Sequence, residues 1–205
     1  MLPIIGHRGR RRVAAENTIR SFEAAANWGA DGVEFDVRRT RDDELVVVHD
    51  ATVDRTTTGD GRVDRLSLAE IQSLTTGDGE TVPTLEQSLS AIGETALEIW
   101  IDLKDPDLVD DVVSAVTRHG LAERSVVFAG QKFADDIPRR AHDAGIRAGI
   151  TIGPALAGRY GPADPFAVIE TLDADALLVT AEAVTDALLR EAIDGDVHTG
   201  LLVDC

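Results

Sequence analysis

The sequence predicts an α/β protein built on a mostly parallel sheet. Three observations lead there. Short runs rich in β-branched residues recur along the whole length of 205 residues. Most neighbouring runs are separated by a stretch whose apolar residues repeat at helical spacing. The runs themselves are nearly continuous in apolar character, as strands covered on both faces must be. At this length two arrangements compete, a (β/α) barrel and a doubly wound sheet.

The predicted strands are residues 3–6, 32–37, 45–49, 98–103, 125–129, 147–152, 176–180 and 200–204. After the first strand, residues 18–28 place Ile19, Phe22, Ala25 and Ala26 on one face of a helix. Residues 38–44 are too few for a helix, so the second and third strands form a hairpin turning at Asp42-Asp43. The stretch 51–89 is rich in Thr, Gly and Asp and reads as a small insertion over one end of the core. It holds a helical piece near 68–74, and Pro83-Thr84 opens another helix. Residues 108–119 align Leu108, Val112, Val113 and Val116, with Gly120 as the stop. Residues 184–193 repeat the pattern with Val184, Leu188 and Leu189. No segment has linker composition, so a single domain is expected over 1–205.

Charge narrows the partners. There are 37 acidic and 20 basic residues, net −17. Such a surface repels nucleic-acid phosphates and anionic lipids, so neither is the expected partner. The basic residues are 18 Arg and 2 Lys, Lys104 and Lys132; the acids are 24 Asp and 13 Glu. This bias suits concentrated salt, where the Debye length falls to roughly 3 Å at 1 M. The other reading is a drifted mesophilic composition. The one cysteine, Cys205, forms no intrachain disulfide. No apolar run is long enough for a signal peptide or a membrane span, so a cytoplasmic protein without stable membrane insertion is expected.

The polar residues collect at strand ends: His7-Arg8-Gly9, Glu34-Phe35-Asp36, His49-Asp50 and Asp102-Leu103-Lys104. Strand ends are where α/β folds bind ligands. Glu34 and Asp36 are two apart on a strand and share a face. Two carboxylates so placed repel unless a positive charge lies between them. A hard divalent cation fits, with Asp102 completing the set from a neighbouring strand. An ion pair with Arg8 or Arg38 fits as well. His7 and His49 suit proton transfer near neutral pH, though a single strand-end histidine is commonly structural. Lys104 is a compact ammonium placed to meet a phosphate or an oxyanion, or is simply solvated. His119, His142 and His198 fall at a helix end, in a helix and in a loop, and read as surface or structural residues.

These residues resemble the glycerophosphodiester phosphodiesterase family. The resemblance runs in order over about residues 3–105. It rests on His7-Arg8-Gly9, Glu16-Asn17-Thr18, residues 29–37 including Glu34-Phe35-Asp36, Val47-Val48-His49-Asp50, Asp54-Arg55-Thr56-Thr57, residues 82–86 and Asp102-Leu103-Lys104. It implies an irregular TIM-type barrel with an insertion after the His-Asp strand. By that resemblance Glu34, Asp36 and Asp102 bind a divalent cation, Mg²⁺ or Ca²⁺, with Mn²⁺ as a further candidate. His7 and His49 form the acid–base pair. Arg8 and Lys104 hold the phosphate, and Glu16, Asn17 and Asp50 support the site. The implied partner is a small-molecule phosphodiester, hydrolysed to glycerol phosphate and an alcohol. Two alternatives stand beside it: a lyase that stops at a cyclic phosphate, and a truncated barrel that binds phosphate ligands without turnover.

The chain departs from the family in three places. Asp102 stands where the family usually has Glu. Residues 201–204 align with the family's late Trp-Thr-Val-Asn strand, which removes an aromatic wall. The family's final strand, with its Thr-Asp-x-Pro motif, has no counterpart after Cys205. The expectation is a barrel lacking its last strand–helix unit, left open or closed in an unusual way, with a strand edge exposed.

Overall fold

Alternation along the strands decides the architecture. The structure is a computed structural model that describes residues 1–129, 137–152 and 165–205; Lys132 lies outside them. In β2 (Gly32–Arg39), Val33, Phe35 and Val37 join the core formed with the surrounding helices. Glu34 and Asp36 therefore face the other way, toward the interior of the sheet. In β4 (Glu98–Leu103), Ile99, Ile101 and Leu103 pack outward into the same core, and Trp100 and Asp102 face inward.

The other strands are β1 (Ile4–His7), β3 (Leu45–Val47), β5 (Ser125–Ala129), β6 (Arg147–Ile152), β7 (Ala176–Thr180) and β8 (His198–Val203). Their order is β1-β8-β7-β6-β5-β4-β2-β3, with β1 also paired to β2. The sheet thus closes into a barrel of seven parallel strands among the described residues, where a regular TIM barrel has eight. β3 is antiparallel and takes β2's edge at Val37–Arg39, beyond the point where β1 leaves it. Closure corrects the expected open edge. β8 pairs with β1 through Ile4↔Leu201, Ile5↔Leu202 and Gly6↔Val203. Residues 201–204 therefore belong to the closing strand rather than to an earlier one. His198, expected in a loop, is the first residue of β8.

The helices are α1 (Ile19–Trp28), α2 (Leu68–Gln72), α3 (Leu85–Gly93), α4 (Val109–Arg118), α5 (Ile137–His142), α6 (Pro165–Leu172) and α7 (Asp186–Asp194). α1 starts because Thr18 and Ser21 form a capping box, and it ends at Gly29 in a left-handed turn. α5 fills the crossover where the sequence placed His142 in a helix, and α6 fills one for which the sequence suggested no helix. Val46, Val48, Val53, Val63, Ile71 and Val82 form a separate small core under the insertion, whereas Leu85, Leu89 and Ile92 of α3 pack in the main one. No described helix is long and apolar enough to cross a membrane.

The barrel interior is filled at one end. Ile5, Trp100, Val126, Phe128, Ala176, Leu178 and Leu202 form one buried cluster. Gly200 leaves the space: a Cβ there would lie 2.9 Å from Ile5 and 3.1 Å from Trp100. Below Trp100, its indole N–H donates to Glu98 at 3.0 Å and His198 stacks on its ring with centroids 5.6 Å apart. The carboxyl ends of the strands, where Glu34, Asp36 and Asp102 point, are the polar end.

Candidate active site

Strand register brings the separated motifs together. His7 is level with Glu34 across β1 and β2, and Asp36 is level with Asp102 across β2 and β4. One ligand oxygen from each of Glu34, Asp36 and Asp102 lies within 4.8 Å of the others. Glu34 is 3% and Asp36 1% exposed, so these acids meet out of water.

Two basic side chains answer them. Lys104 Nζ lies 2.6 Å from Asp36 Oδ1 and also donates to Asp102 Oδ2. Arg8 Nε is 3.2 Å from Asp36 Oδ2, and Arg8 Nη1 donates to Glu16 at 2.9 Å. The backbone N–H of Arg8 donates to Glu34 Oε2 at 3.0 Å. That approach requires the turn after β1, where Arg8 has φ 56° and Gly9 φ 80°. A Cβ on Gly9 would lie 2.3 Å from Ser21 Oγ, so glycine is needed there. Asn17, also left-handed at φ 59°, donates through Nδ2 to Asp36 Oδ2 at 2.8 Å.

The acids respond differently to this field. Burial raises the Glu34 carboxyl well above its ordinary range, and Asp36 and Asp102 push it further. Asp102 is also raised, chiefly by burial, against the pull of Lys104. Burial opposes ionisation of Asp36 too, but Lys104 and Arg8 outweigh it and hold that carboxyl low. Lys104 is held above its ordinary value because Asp36 and Asp102 outweigh its desolvation.

Each imidazole is tethered through Nδ1. His7 Nδ1 lies 2.8 Å from Asp204 Oδ1, and its Nε2 is 4.0 Å from Glu34 Oε2. Burial lowers the His7 pKa, with Asp204 opposing the shift. His49 Nδ1 lies 2.7 Å from Asp50 Oδ1. Asp50 and Glu16 are bridged by Arg55, which donates to Asp50 at 2.6 Å and to Glu16 at 2.9 and 2.7 Å. Hydrogen bonds from Arg55, then from His49, hold the Asp50 carboxyl far down despite partial burial. Arg38, the alternative partner for the buried acids, instead donates from Nε to the His49 carbonyl at 2.9 Å.

The ten residues singled out in the sequence therefore form one connected network around the carboxylate cluster. The sequence assigns no site role to Arg11, and it presents Asp204 and Arg55 only as parts of aligned motifs. The two contacts His49–Asp50 and Asp50–Arg55 join residues close in sequence, and that closeness is the signal that could have found Arg55. Asp204 is 197 positions from His7, and nothing local marks it.

The donor set suits a hard divalent cation. It is all oxygen, it carries three carboxylates against the charges of Lys104 and Arg8, and Asp102 Oδ1 is buried with no hydrogen-bond partner. The sequence signature of the glycerophosphoryl diester phosphodiesterase family matches residues 7–140. The chain belongs to this family. A relative in the family, the glycerophosphodiester phosphodiesterase of Caldanaerobacter subterraneus subsp. tengcongensis, is 38% identical over 136 residues, 60% of this chain and 56% of the relative. The chain spans about half the length of the curated relatives it matches. A crystal structure of glycerophosphodiester phosphodiesterase from Agrobacterium tumefaciens str. C58 is similar with TM-score 0.77 and 28% identity, over 100% of this chain and 96% of that one. An Oleispira antarctica phosphodiesterase, solved with the product sn-glycerol-3-phosphate, has TM-score 0.78 and 24% identity, over 98% of this chain and 85% of that one. At that identity it supports the fold.

Proposed function

We propose that this chain hydrolyses glycerophosphodiesters to glycerol phosphate and an alcohol. The observation that carries this reading is the meeting of two tethered imidazoles, three clustered carboxylates, two of them buried, and two cations at the polar end of one barrel. The Oleispira enzyme's bound product, sn-glycerol-3-phosphate, supports the same product class.

Glu34, Asp36 and Asp102 would hold the divalent cation, Mg²⁺, Ca²⁺ or Mn²⁺. Bound there, it supplies Lewis-acid neutralisation of a phosphate oxygen. The chain's own groups do the rest. Arg8 and Lys104 set positive charge beside the equatorial phosphate oxygens, where phosphoryl transfer needs it. One imidazole takes the proton of the nucleophile, a water or the neighbouring glycerol hydroxyl, as its oxygen bonds to phosphorus. The other gives a proton to the departing alkoxide as the second P–O bond breaks. With the Nδ1 positions of His7 and His49 facing carboxylates, Nε2 is the nitrogen left for these transfers. Glu16 and Asn17 keep Arg8 and Asp36 in place, and Asp50 orients His49.

The test is release of glycerol phosphate from glycerophosphocholine, with Mg²⁺, Mn²⁺ or Ca²⁺, at low and at molar salt. His7→Ala and His49→Ala are each expected to cut turnover by about 10²-fold or more while the circular dichroism spectrum is kept. Near-normal turnover in either removes that histidine from the mechanism. Phosphorus NMR of the product separates hydrolysis from a cyclic phosphate.

A further inference from the structure

The closing strand ends beside His7. Gly6 is level with Val203, so the next residues along the two parallel strands, His7 and Asp204, come side by side. Asp204 Oδ1 then lies 2.8 Å from His7 Nδ1. The same carboxylate is gripped by Arg11, whose Nε donates to Oδ1 at 2.7 Å and whose Nη2 donates to Oδ2. A guanidinium engaging both oxygens keeps the carboxylate ionised, and an ionised carboxylate only accepts. The proton between His7 and Asp204 must therefore sit on Nδ1. That leaves the lone pair on Nε2, the nitrogen on the Glu34 side of the ring.

We propose that Asp204, clamped by Arg11, is a positioning residue that fixes His7 in its Nδ1–H tautomer with Nε2 turned to the reaction centre. This rests on the functional reading above, in which His7 transfers a proton. The other imidazole is built alike: His49 Nδ1 on Asp50, and Asp50 on Arg55. The two histidines are thus each seated on a carboxylate–arginine pair. One pair joins Asp50, just before the insertion, to Arg55 within it, and the other is made by the loop after β1 and the end of β8. The barrel's closure thereby completes the site as well as the sheet. The logic is that of an Asp-oriented histidine in serine hydrolases, where losing the carboxylate leaves the wrong tautomer and little turnover.

The experiment uses the full chain and its Asp204→Asn, Asp204→Glu and Arg11→Gln variants. Imidazole nitrogen shifts of His7 are read by ¹⁵N NMR, and kcat and KM are measured on glycerophosphocholine. In the parent chain His7 Nδ1 is expected to be protonated and Nε2 bare. Asp204→Asn is expected to lose that preference and to lower kcat by about 10²-fold, with KM little changed. Asp204→Glu restores part of kcat, and Arg11→Gln falls in between. Where Arg11→Gln does not fold, the isosteric Asp204→Asn alone decides. An Asp204→Asn protein that keeps the parent's kcat or tautomer, while His7→Ala is inactive, overturns the clamp and leaves the functional reading standing. Full turnover in His7→Ala overturns both.

Discussion

Glu34 carries the sharpest conflict in the molecule. It is buried beside Asp36 and Asp102, and its carboxyl is raised first by burial and then by those neighbours. A raised acid stabilises the fold fully below its unfolded pKa, near 4.3, and loses that contribution as pH rises through the folded value. Without a divalent cation, Glu34 should therefore weaken the fold at neutral and alkaline pH. Glu34→Gln in EDTA at pH 8 is expected to melt higher than the parent, by roughly 2–4 °C for each kcal/mol released. Adding Mn²⁺ should raise the parent's melting temperature and leave the variant's nearly unchanged. A variant that melts below the parent in EDTA contradicts this. Lys104 has the opposite role. Lys104→Met leaves the buried Asp36 and the partly buried Asp102 without their ammonium and should cost about 3–5 kcal/mol by urea denaturation. Glu34, Asp36, Asp102, His7 and His49 were legible in the sequence because strand ends and alternation point to them. Asp204 and Arg11 were not, because their proximity to His7 is created by barrel closure.

The elements were legible where local preference and burial agree. β4, β5, β6 and β7 match their predicted limits because each is an apolar, β-branched run buried on both faces. β8 starts earlier than predicted because His198 is held by Glu98 and the Trp100 ring, tertiary contacts that override the weak strand preference of His-Thr-Gly. The turn after β1 was recognisable as a motif, but its physical reason lies in Ser21 of α1. Gly9→Ala combines positive φ with overlap on Ser21 Oγ and the Ser21 backbone. It should cost about 1–3 kcal/mol in thermal or chemical denaturation. Activity should fall with it, since the same turn aims the Arg8 N–H at Glu34. A Gly9→Ala protein of parental stability would show that the turn tolerates a side chain.

The whole molecule carries net charge −17 at neutral pH. Its arginines are heavily engaged: Arg39 with Asp111, Arg55 with Asp50 and Glu16, and Arg147 with Glu98 are examples. Residual self-repulsion is screened by salt. Raising KCl from about 0.1 to 2 M is thus expected to raise the melting temperature, and a fall over that range would remove electrostatic repulsion as a determinant of stability. Barrel closure was the feature least legible in the sequence, because it depends on pairing residues 4–6 with 201–203 across the whole chain. That closure places His7, His49 and the three acids at one end, while His198 starts β8 beside Glu98 and His142 ends α5 beside Asp175. His119 lies on the outer helices beside Glu86. Titration of the chain with Mn²⁺, followed by the histidine ring-proton NMR signals, reads that arrangement. Substoichiometric Mn²⁺ should broaden His7 and His49 first and leave His119, His142 and His198 sharp, and Glu34→Gln should suppress the effect. Uniform broadening of all five histidines, or sharp signals from His7 and His49, would contradict a cation held by Glu34, Asp36 and Asp102 between the two imidazoles.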